Sequence, residues 1–309
     1  MLSIIVAQYE PDRAALERTL FSILTQDDQD FELIIADDGS RSTLFDSTKA
    51  LLQKYGRDAQ LLTMPENQGT VWNVWNAVSH ARGTWVYAIS PGDYLYDAGT
   101  VRWIKERCRE DDISAAFGKA AHYTQVPQLR QLPGQTPFDT GCYDPQHYRA
   151  DQIKRNMVLY DDGVSGACAF YRKSVLLEAL AAMKGRVRYA EDFAFRLFAV
   201  QGIHIHCYDR VICWYEQGTG VSASQPRMQK DWKAMLLLLK ERYPKDRIVY
   251  LANLYFFNDE RKSRILRGLI GRTIVPQWLP FKRMQKNYHP PVNGRMEELM
   301  RIYHLQEES

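Results

Sequence analysis

Four short β-rich apolar segments alternate with helical segments over the first 110 residues, and this alternation restricts the possible folds more than any other feature. The predicted strands cover residues 2–7, 31–36, 60–64 and 84–89, and the first two are apolar enough to be buried on both faces. Strands that alternate with helices form a parallel sheet covered by helices on both sides. Because ligands bind beyond the carboxyl ends of such strands, we expect the functional residues directly after each strand.

The chain beyond residue 110 has a different organisation. It combines a Pro- and Gln-rich loop at 125–146 and a predicted helix at 191–201 with predicted strands at 113–123, 165–171 and 204–214. After residue 225 the chain is helical and basic. The length allows one large domain or two modest ones, and the pattern of the chain changes near residues 110 and 225.

Composition excludes several classes of protein. Of the 309 residues, 45% are hydrophobic and 25% are charged, which is typical of a globular protein, and the net charge is only +3. The five cysteines include no Cys-x-x-Cys pair, which argues against a zinc knuckle or a disulfide framework and favours a reducing cytoplasm. No apolar run reaches the ~18 residues of a transmembrane helix, and no basic start of a signal peptide precedes the first strand.

Polar residues follow the second and third predicted strands, each with two interpretations. Asp37-Asp38-Gly39-Ser40 is typical of a turn and helix N-cap, but its carboxylates could also accept hydrogen bonds from a nucleoside's base and ribose. Asn67-Gln68-Gly69, before the helix that carries Asn76, could equally be an ordinary loop. Local sequence leaves both interpretations open.

Three further carboxylates have a similar ambiguity. Ser90-Pro91-Gly92-Asp93 fits a type II turn, yet Asp93 at a strand end could also ligate Mg²⁺ or Mn²⁺ on a diphosphate. Glu191-Asp192 could stabilise a helix start through its dipole or supply a general base. Arg196, one turn further, could orient Asp192 or form a surface ion pair of little energetic value.

Taken in order, these segments resemble the family 2 glycosyltransferases, which are inverting enzymes of the GT-A fold. The resemblance covers residues 1–224 and is carried by segments 2–9, 16–26, 31–40, 67–69 with Asn76, 81–83, 165–174, 190–192, 202, 211–215 and 220–222. It implies an α/β fold with a mixed, mostly parallel central sheet flanked by helices. Residues 1–110 would form a Rossmann-like nucleotide-sugar-binding half, residues 111–224 an acceptor half, and residues 225–309 a helical basic extension.

The resemblance also implies roles for individual residues. Asp192 would be the general base, Glu191 would position the acceptor or the base, and Asp93 would hold the metal, Mg²⁺ or Mn²⁺. Asp37 would accept from the base, most often uracil, and Asp38 would lie beside the ribose. The remaining implied donor-binding residues are Ala7, Tyr9, Glu10, Asn67, Gly69 and Asn76. The sequence itself adds the acceptor or lid candidates Arg196, Gly220 and Ser222, the last two in the loop 216–222, which could fold over the diphosphate as a lid or be an ordinary flexible loop.

One departure from the family pattern concerns the metal site. The usual Asp-x-Asp-Asp is here Ser90-Pro91-Gly92-Asp93, so two carboxylates are missing. An alternative is therefore a non-catalytic nucleotide- or carbohydrate-binding relative with a degenerate metal site. A nucleotidyltransferase is disfavoured, because the loop after the first strand lacks the Gly-rich, basic sequence that would bind a triphosphate.

A basic amphipathic stretch lies near the C-terminus. Residues 261–289 contain eight of the 40 Lys and Arg residues and no acid, interspersed with apolar residues. This pattern is typical of contact with an anionic membrane surface, or of a helix packed on the domain with a solvated basic face. We expect a cytoplasmic protein on the inner face of the membrane that uses a saccharide or lipid-linked acceptor. A nucleic-acid partner is not expected, because the segment lacks aromatic stacking motifs.

Overall fold

The computed structural model describes residues 1–110, 113–218, 225–256, 269 and 278–307. The predicted lid residues Gly220 and Ser222 lie outside the described residues, as do residues 261–268 and 270–277 of the basic segment.

The described residues contain one large mixed sheet. Its strands are β1 (Leu2–Gln8), β2 (Glu32–Asp37), β3 (Gln60–Thr63), β4 (Trp85–Ile89), β5 (Tyr94–Leu95), β6 (Ala115–Thr124), β7 (Arg130–Leu132), β8 (Ala169–Arg172) and β9 (Ile205–Glu216). Their order is β3-β2-β1-β4-β8-β6-β9-β5, with β7 paired to β6. Strands β3, β2, β1 and β4 are parallel, and β8 runs antiparallel to both β4 and β6.

Helices cover the sheet and continue to the C-terminus. They are α1 (Arg13–Leu24), α2 (Phe45–Lys54), α3 (Thr70–His80), α4 (Thr100–Arg107), α5 (Ala150–Leu159), α6 (Lys173–Met183), α7 (Ala194–Gln201), α8 (Gln225–Arg242), α9 (Arg247–Phe256), α10 (Trp278–Asn287) and α11 (Met296–Glu307). None of these helices combines the length and hydrophobicity needed to cross a bilayer.

The alternation along β1 explains why helices lie on both faces of the sheet. Ile4 and Val6 pack in one core with Leu20 of α1, whereas Ile5 packs in the other core with Val74 of α3. Successive side chains of a strand point to opposite faces, so an uninterrupted apolar strand needs cover on both sides. The prediction of a doubly covered, mostly parallel sheet in the first half is confirmed.

The second half differs in detail from its prediction. The predicted strand at 165–171 is a strand only over Ala169–Arg172, because a 3₁₀ turn, Gly166–Cys168, precedes it and is closed by Cys168 N–H donating to Ser165 O at 3.3 Å. The predicted helix at 191–201 likewise starts as a 3₁₀ turn, Glu191–Phe193. Both irregular turns present side chains to the same cleft.

The C-terminal helices share hydrophobic cores with the sheet domain. Met235 and Leu239 of α8 and Val249 of α9 are fully buried in the core that contains α3 and α7. Leu299 and Ile302 of α11 pack with Tyr94, Tyr123 and Trp214 of the sheet. Apolar burial of this kind stabilises the helices against the domain.

Candidate functional site

A cleft of about 580 Å³ opens at the carboxyl ends of β1, β2 and β4, where a doubly wound sheet binds its ligands. It is lined by seven of the residues singled out in the sequence, namely Ala7, Tyr9, Glu10, Asp38, Asp93, Glu191 and Asp192. Further lining residues were not anticipated, among them Gln8, Arg18, Asn73, Tyr189 and Glu216. Asp37, Asn67, Gly69, Asn76 and Arg196 lie outside the cleft wall.

The two adjacent carboxylates after β2 have different surroundings. Asp38 faces the cleft, and its carboxylate accepts the backbone N–H groups of Gln68 at 2.9 Å and Gly69 at 2.7 Å. Burial raises the pKa of Asp38, and these two N–H groups oppose that shift. Asp37 is fully buried and accepts from Ser40 N–H at 2.7 Å and from Gln8 Nε2 at 3.1 Å. Asp37 therefore acts on the turn and on Gln8 rather than directly on the cleft.

The end of β1 is tied to the end of β2 by polar contacts. Glu10 has a positive φ of 45°, and its Oε1 accepts the backbone N–H of Arg41 at 3.0 Å and the Nε of Arg41 at 3.1 Å. Its own N–H donates to Ser40 Oγ at 2.7 Å. Gln8 Nε2 also donates to Thr43 O at 2.7 Å. These contacts leave Tyr9 52% exposed beside the cleft, available to a planar ligand.

The loop Asn67-Gln68-Gly69 contacts both Asp38 after β2 and Arg188, which precedes Glu191. Gly69 N–H donates to Asp38, while Arg188 Nη2 donates to Asn67 Oδ1 at 2.7 Å. Gly69 has φ +93°, and a β-carbon there would lie 2.4 Å from Arg188 O, so only glycine fits. Asn67 and Gly69 thus hold the strand-end loop against the segment that leads to Glu191.

Helix α3 contributes Asn73 rather than Asn76 to the cleft. Asn73 is buried, lines the cleft and donates its Nδ2 to Ala36 O at 2.8 Å. Asn76 is half-buried, one turn before His80, whose ring nitrogen contacts Asn76 O. The sequence does carry a signal for Asn73, because it lies one helical turn after Gly69, at the strand-facing start of the helix.

Asp93 lies at the floor of the cleft in a tight turn. Its N–H donates to Ser90 O at 3.0 Å, and its Oδ1 accepts the backbone N–H of Glu216 at 3.0 Å. Burial raises the pKa of Asp93 to about 8, and the negative charge of Glu216 adds to this shift. A carboxylate in this environment favours a nearby cation.

Glu216 brings a second carboxylate to Asp93 from the end of β9. Its Oε1 accepts a hydrogen bond from Gln125 Nε2 at 2.6 Å, and a β-carbon on Gly92 would lie 2.7 Å from Glu216 Oε2. Across residues 1–110, 113–218, 225–256 and 278–307, no three His, Cys, Asp or Glu side chains converge as a metal site. Two carboxylates and the oxygens of a bound diphosphate are nevertheless a donor set that fits Mg²⁺ or Mn²⁺.

Glu191 and Asp192 lie side by side under the 3₁₀ turn that contains Gly166. The backbone N–H of Gly166 donates to the Asp192 carboxylate, and a β-carbon on Gly166 would lie 2.5 Å from Glu191 Oε1. Burial raises the pKa of both carboxyl groups, and the charge of Asp192 raises that of Glu191 further. The nearby Arg196 guanidinium opposes the shift at Asp192, so Asp192 is the more readily ionised of the two.

Arg196 is buried, and its ion-pair partner is an exposed carboxylate other than Asp192. It is 3% exposed, its guanidinium carbon lies 3.7 Å from the centroid of the Phe193 ring, and its Nε donates to Met157 O at 3.2 Å. Its ion pair is made with Asp161. Arg196 therefore acts on Asp192 through its charge from below the cleft.

Two residues from outside the predicted motifs support the cleft. Asp231 of α8 accepts the backbone N–H groups of Arg188 at 3.1 Å, Tyr189 at 2.5 Å and Ala190 at 3.1 Å, immediately before Glu191. Arg18 of α1 lines the cleft and donates its Nη2 to Gln125 Oε1 at 3.3 Å. No pattern in the sequence indicated Arg18, because at 100° per residue it lies opposite the apolar stripe of its helix.

Comparison with known proteins shows the family of the chain and structures of similar fold. The family model described as Glycosyl transferase family 2 matches residues 3–180. No curated protein matches the sequence significantly. The structure of S. aureus TarS 1-349 in complex with UDP-GlcNAc is similar, with a TM-score of 0.55, 17% identity, and coverage of 90% of this chain and 78% of TarS 1-349.

A second similar structure comes from an archaeal protein. The mannosyltransferase PcManGT from Pyrobaculum calidifontis, in complex with GDP-Man and Mn²⁺, has a TM-score of 0.50 and 14% identity, and the match covers 92% of this chain and 84% of PcManGT. At these identities the two structures bear on the fold alone.

Proposed function

Because the chain belongs to glycosyl transferase family 2, we propose that it moves a sugar from a UDP-linked donor to a saccharide or lipid-linked oligosaccharide acceptor in polysaccharide biosynthesis, with inversion at the anomeric carbon. The matched family region covers more than half of the chain, and the protein is a nucleotide-sugar-dependent glycosyltransferase of the GT-A fold. The donor nucleotide, the acceptor and the catalytic residues are the proposed parts.

The Asp192 environment is the observation that carries the proposed mechanism. Asp192 accepts one fixed N–H from Gly166 and lies near the buried cation of Arg196, so it ionises more readily than its neighbour Glu191 and is available as a base. We assign Asp192 to remove the proton from the acceptor hydroxyl. The hydroxyl oxygen then forms a bond to the anomeric carbon as the bond from that carbon to the diphosphate breaks. A single in-line displacement inverts the configuration.

The donor is assigned to the part of the cleft between β1, β2 and β4. Ala7, Tyr9, Glu10 and Asp38 line this part, and the volume of the whole cleft, about 580 Å³, is within the range of sites for small molecules. We propose that Asp37, Asn67 and Gly69 act by positioning these residues through their hydrogen bonds with Gln8, Arg188 and Asp38. Asn76 lies outside the cleft wall. UDP as the nucleotide is supported by the complexes of TarS with UDP and with UDP-GlcNAc.

We propose that Asp93 is a ligand of the divalent cation that the family uses. Such a cation supplies charge stabilisation to the departing nucleoside diphosphate. Support comes from the position of Asp93 at the carboxyl end of β4, in the same cleft as Asp192, and from the Mn²⁺ complex of PcManGT. The protein's part is to keep the Asp93 oxygens fixed through the Glu216 N–H.

Contact with an anionic membrane surface is the proposed role of the basic segment. In α10, Phe281 is buried and its ring stacks on Tyr160 with centroids 4.3 Å apart, whereas Lys282, Arg283 and Lys286 are exposed. An anchored helix with exposed cations favours such a surface, and a lipid-linked acceptor would lie there. Cosedimentation with anionic vesicles at low salt tests this role, and the variant with Lys282, Arg283 and Lys286 changed to Gln should bind less.

A donor screen tests the proposed activity. The purified protein is incubated with UDP-sugars and GDP-sugars and with Mn²⁺ or Mg²⁺, and nucleotide release and binding are measured. We expect release of UDP from one UDP-sugar, and its loss in Asp192→Asn with UDP binding retained. If the protein binds a nucleotide sugar but releases no nucleotide, whichever saccharide or lipid-linked acceptor is added, the alternative is favoured, namely a non-catalytic nucleotide- or carbohydrate-binding relative.

A further inference from the structure

Two carboxylates from distant parts of the chain meet at the floor of the cleft. Asp93 follows β4 and Glu216 ends β9, yet the backbone N–H of Glu216 donates to Asp93 Oδ1 at 3.0 Å, and both residues line the cleft. Neighbouring buried carboxylates repel each other, and removing them from water adds to the cost. A divalent cation held by both carboxylates would offset this cost.

Gly92 provides the space that the Glu216 carboxylate occupies. A β-carbon on Gly92 would lie 2.7 Å from Glu216 Oε2, closer than non-bonded atoms approach. Gly92 also has φ +102°, a conformation that disfavours other residues. In the sequence, position 92 is one of the two places where the family pattern has an Asp and this chain does not. The Glu216 carboxylate therefore lies where a side chain from residue 92 would lie.

Neighbouring residues hold Glu216 in this orientation. Gln125 Nε2 donates to Glu216 Oε1 at 2.6 Å, and Gln125 Oε1 in turn accepts from Arg18 Nη2 at 3.3 Å. Tyr123 donates its hydroxyl to Gly92 O, which fixes the turn below the carboxylate. A carboxylate whose rotamer is fixed before binding loses little entropy when it takes a ligand.

We propose that Glu216 is the second protein ligand of the divalent cation and supplies from β9 the carboxylate that segment 90–93 lacks. Mg²⁺ in nucleotide-dependent enzymes is held by one or two carboxylates together with substrate phosphates, which is the donor set that Asp93, Glu216 and a diphosphate provide. The inference rests on the proposed function, because the donor's diphosphate supplies the other ligands.

Direct metal binding tests the assignment without relying on activity. Free Mn²⁺ is measured by electron paramagnetic resonance while protein saturated with UDP is titrated. The near-isosteric Glu216→Gln should weaken Mn²⁺ binding at least tenfold and leave metal-free UDP binding within twofold of the wild type. The matched control Glu17→Gln, which removes a carboxylate paired with Arg13 on α1, should bind Mn²⁺ like the wild type.

A second variant tests whether the space left by Gly92 positions the Glu216 carboxylate. Gly92→Ala should displace the Glu216 carboxylate and weaken Mn²⁺ binding in the wild-type background. In a Glu216→Ala background the same change should weaken it no further, since there is no carboxylate left to displace. Backbone strain from φ +102° is common to both backgrounds and appears in the melting temperature of each.

The outcomes separate this inference from the function it rests on. Unchanged Mn²⁺ affinity in Glu216→Gln, or equal losses of Mn²⁺ affinity from Gly92→Ala in both backgrounds, would overturn the role of Glu216. Neither result would contradict the proposed function, which is tested by UDP binding and sugar transfer. Failure of the wild type to bind any nucleotide or nucleotide sugar would contradict the proposed function instead.

Discussion

The guanidinium carbon of Arg18 in α1 lies 4.7 Å from the ring centroid of Tyr303 in α11. Arg18 Nε also donates to the hydroxyl of Tyr94 at 3.1 Å, and Arg18 lines the cleft. A helix near the C-terminus thus holds a cation in the wall of the proposed donor site. An arginine in this position is suited to the charge of a diphosphate.

Removing the Tyr303 ring should weaken donor binding. A cation–π contact contributes about 0.5–2 kcal/mol, so Tyr303→Ala is expected to weaken UDP binding by about 2–30-fold, because Arg18 loses one of the contacts that hold it in the cleft wall. Tyr303→Phe keeps the ring and should bind UDP like the wild type. Calorimetric titration with UDP measures both, and equal affinities for the Ala and Phe variants would contradict the coupling.

The assignment of Asp192 as base predicts a loss of chemistry without a loss of binding. General base catalysis contributes about 10²–10⁴-fold to rate, so Asp192→Asn should reduce the turnover number by at least about 100-fold. UDP binding should stay within twofold, because Asp192 is assigned to the acceptor hydroxyl and not to the donor nucleotide. A turnover number near that of the wild type would exclude Asp192 as the base.

The pH dependence of transfer should follow the raised pKa of Asp192. Burial raises the pKa of Asp192 to about 6. As the pH decreases through this value, which is well above the ordinary aspartate pKa of about 3.9, the base becomes protonated and activity is lost. The Arg196 charge lowers the pKa, so Arg196→Met should move the acidic limb of the kcat/KM profile to higher pH. Arg196→Lys retains the charge and should move it less. A limb at the same pH in all three proteins would contradict this coupling.

A substitution at Gly166 should impair activity because it displaces Glu191, and not because it destabilises the fold. In Gly166→Ala the new β-carbon would meet Glu191 Oε1 at 2.5 Å, and a flexible side chain can move away. We expect a melting temperature within a few degrees of the wild type but a raised KM for the acceptor. The effect should be absent when Gly166→Ala is added to Glu191→Ala, and an equal effect in both backgrounds would place its cause elsewhere.

The parts of the site that could be predicted are those set by local sequence. Asp38, Asp93, Glu191 and Asp192 follow strands or begin helical turns, and the carboxyl edge of the sheet brings such positions together. Asp37 shows the limit of this reasoning. Adjacent strand-end residues point in opposite directions, and only the packing determines that Asp38 faces the cleft while Asp37 binds Ser40 and Gln8.

The sequence by itself determined the fold class, because a continuous apolar strand such as β1 requires helices on both faces, and it located the turn residues that must end each strand. Tertiary structure decided which distant groups meet there. Glu216 reaches Asp93 because β9 pairs with β5, the strand that directly follows Asp93, Asp231 reaches the segment before Glu191 because α8 packs on the domain, and Tyr303 reaches Arg18 through α11. These contacts join residues far apart in the chain, so no local pattern can encode them; they depend on the packing of the whole core.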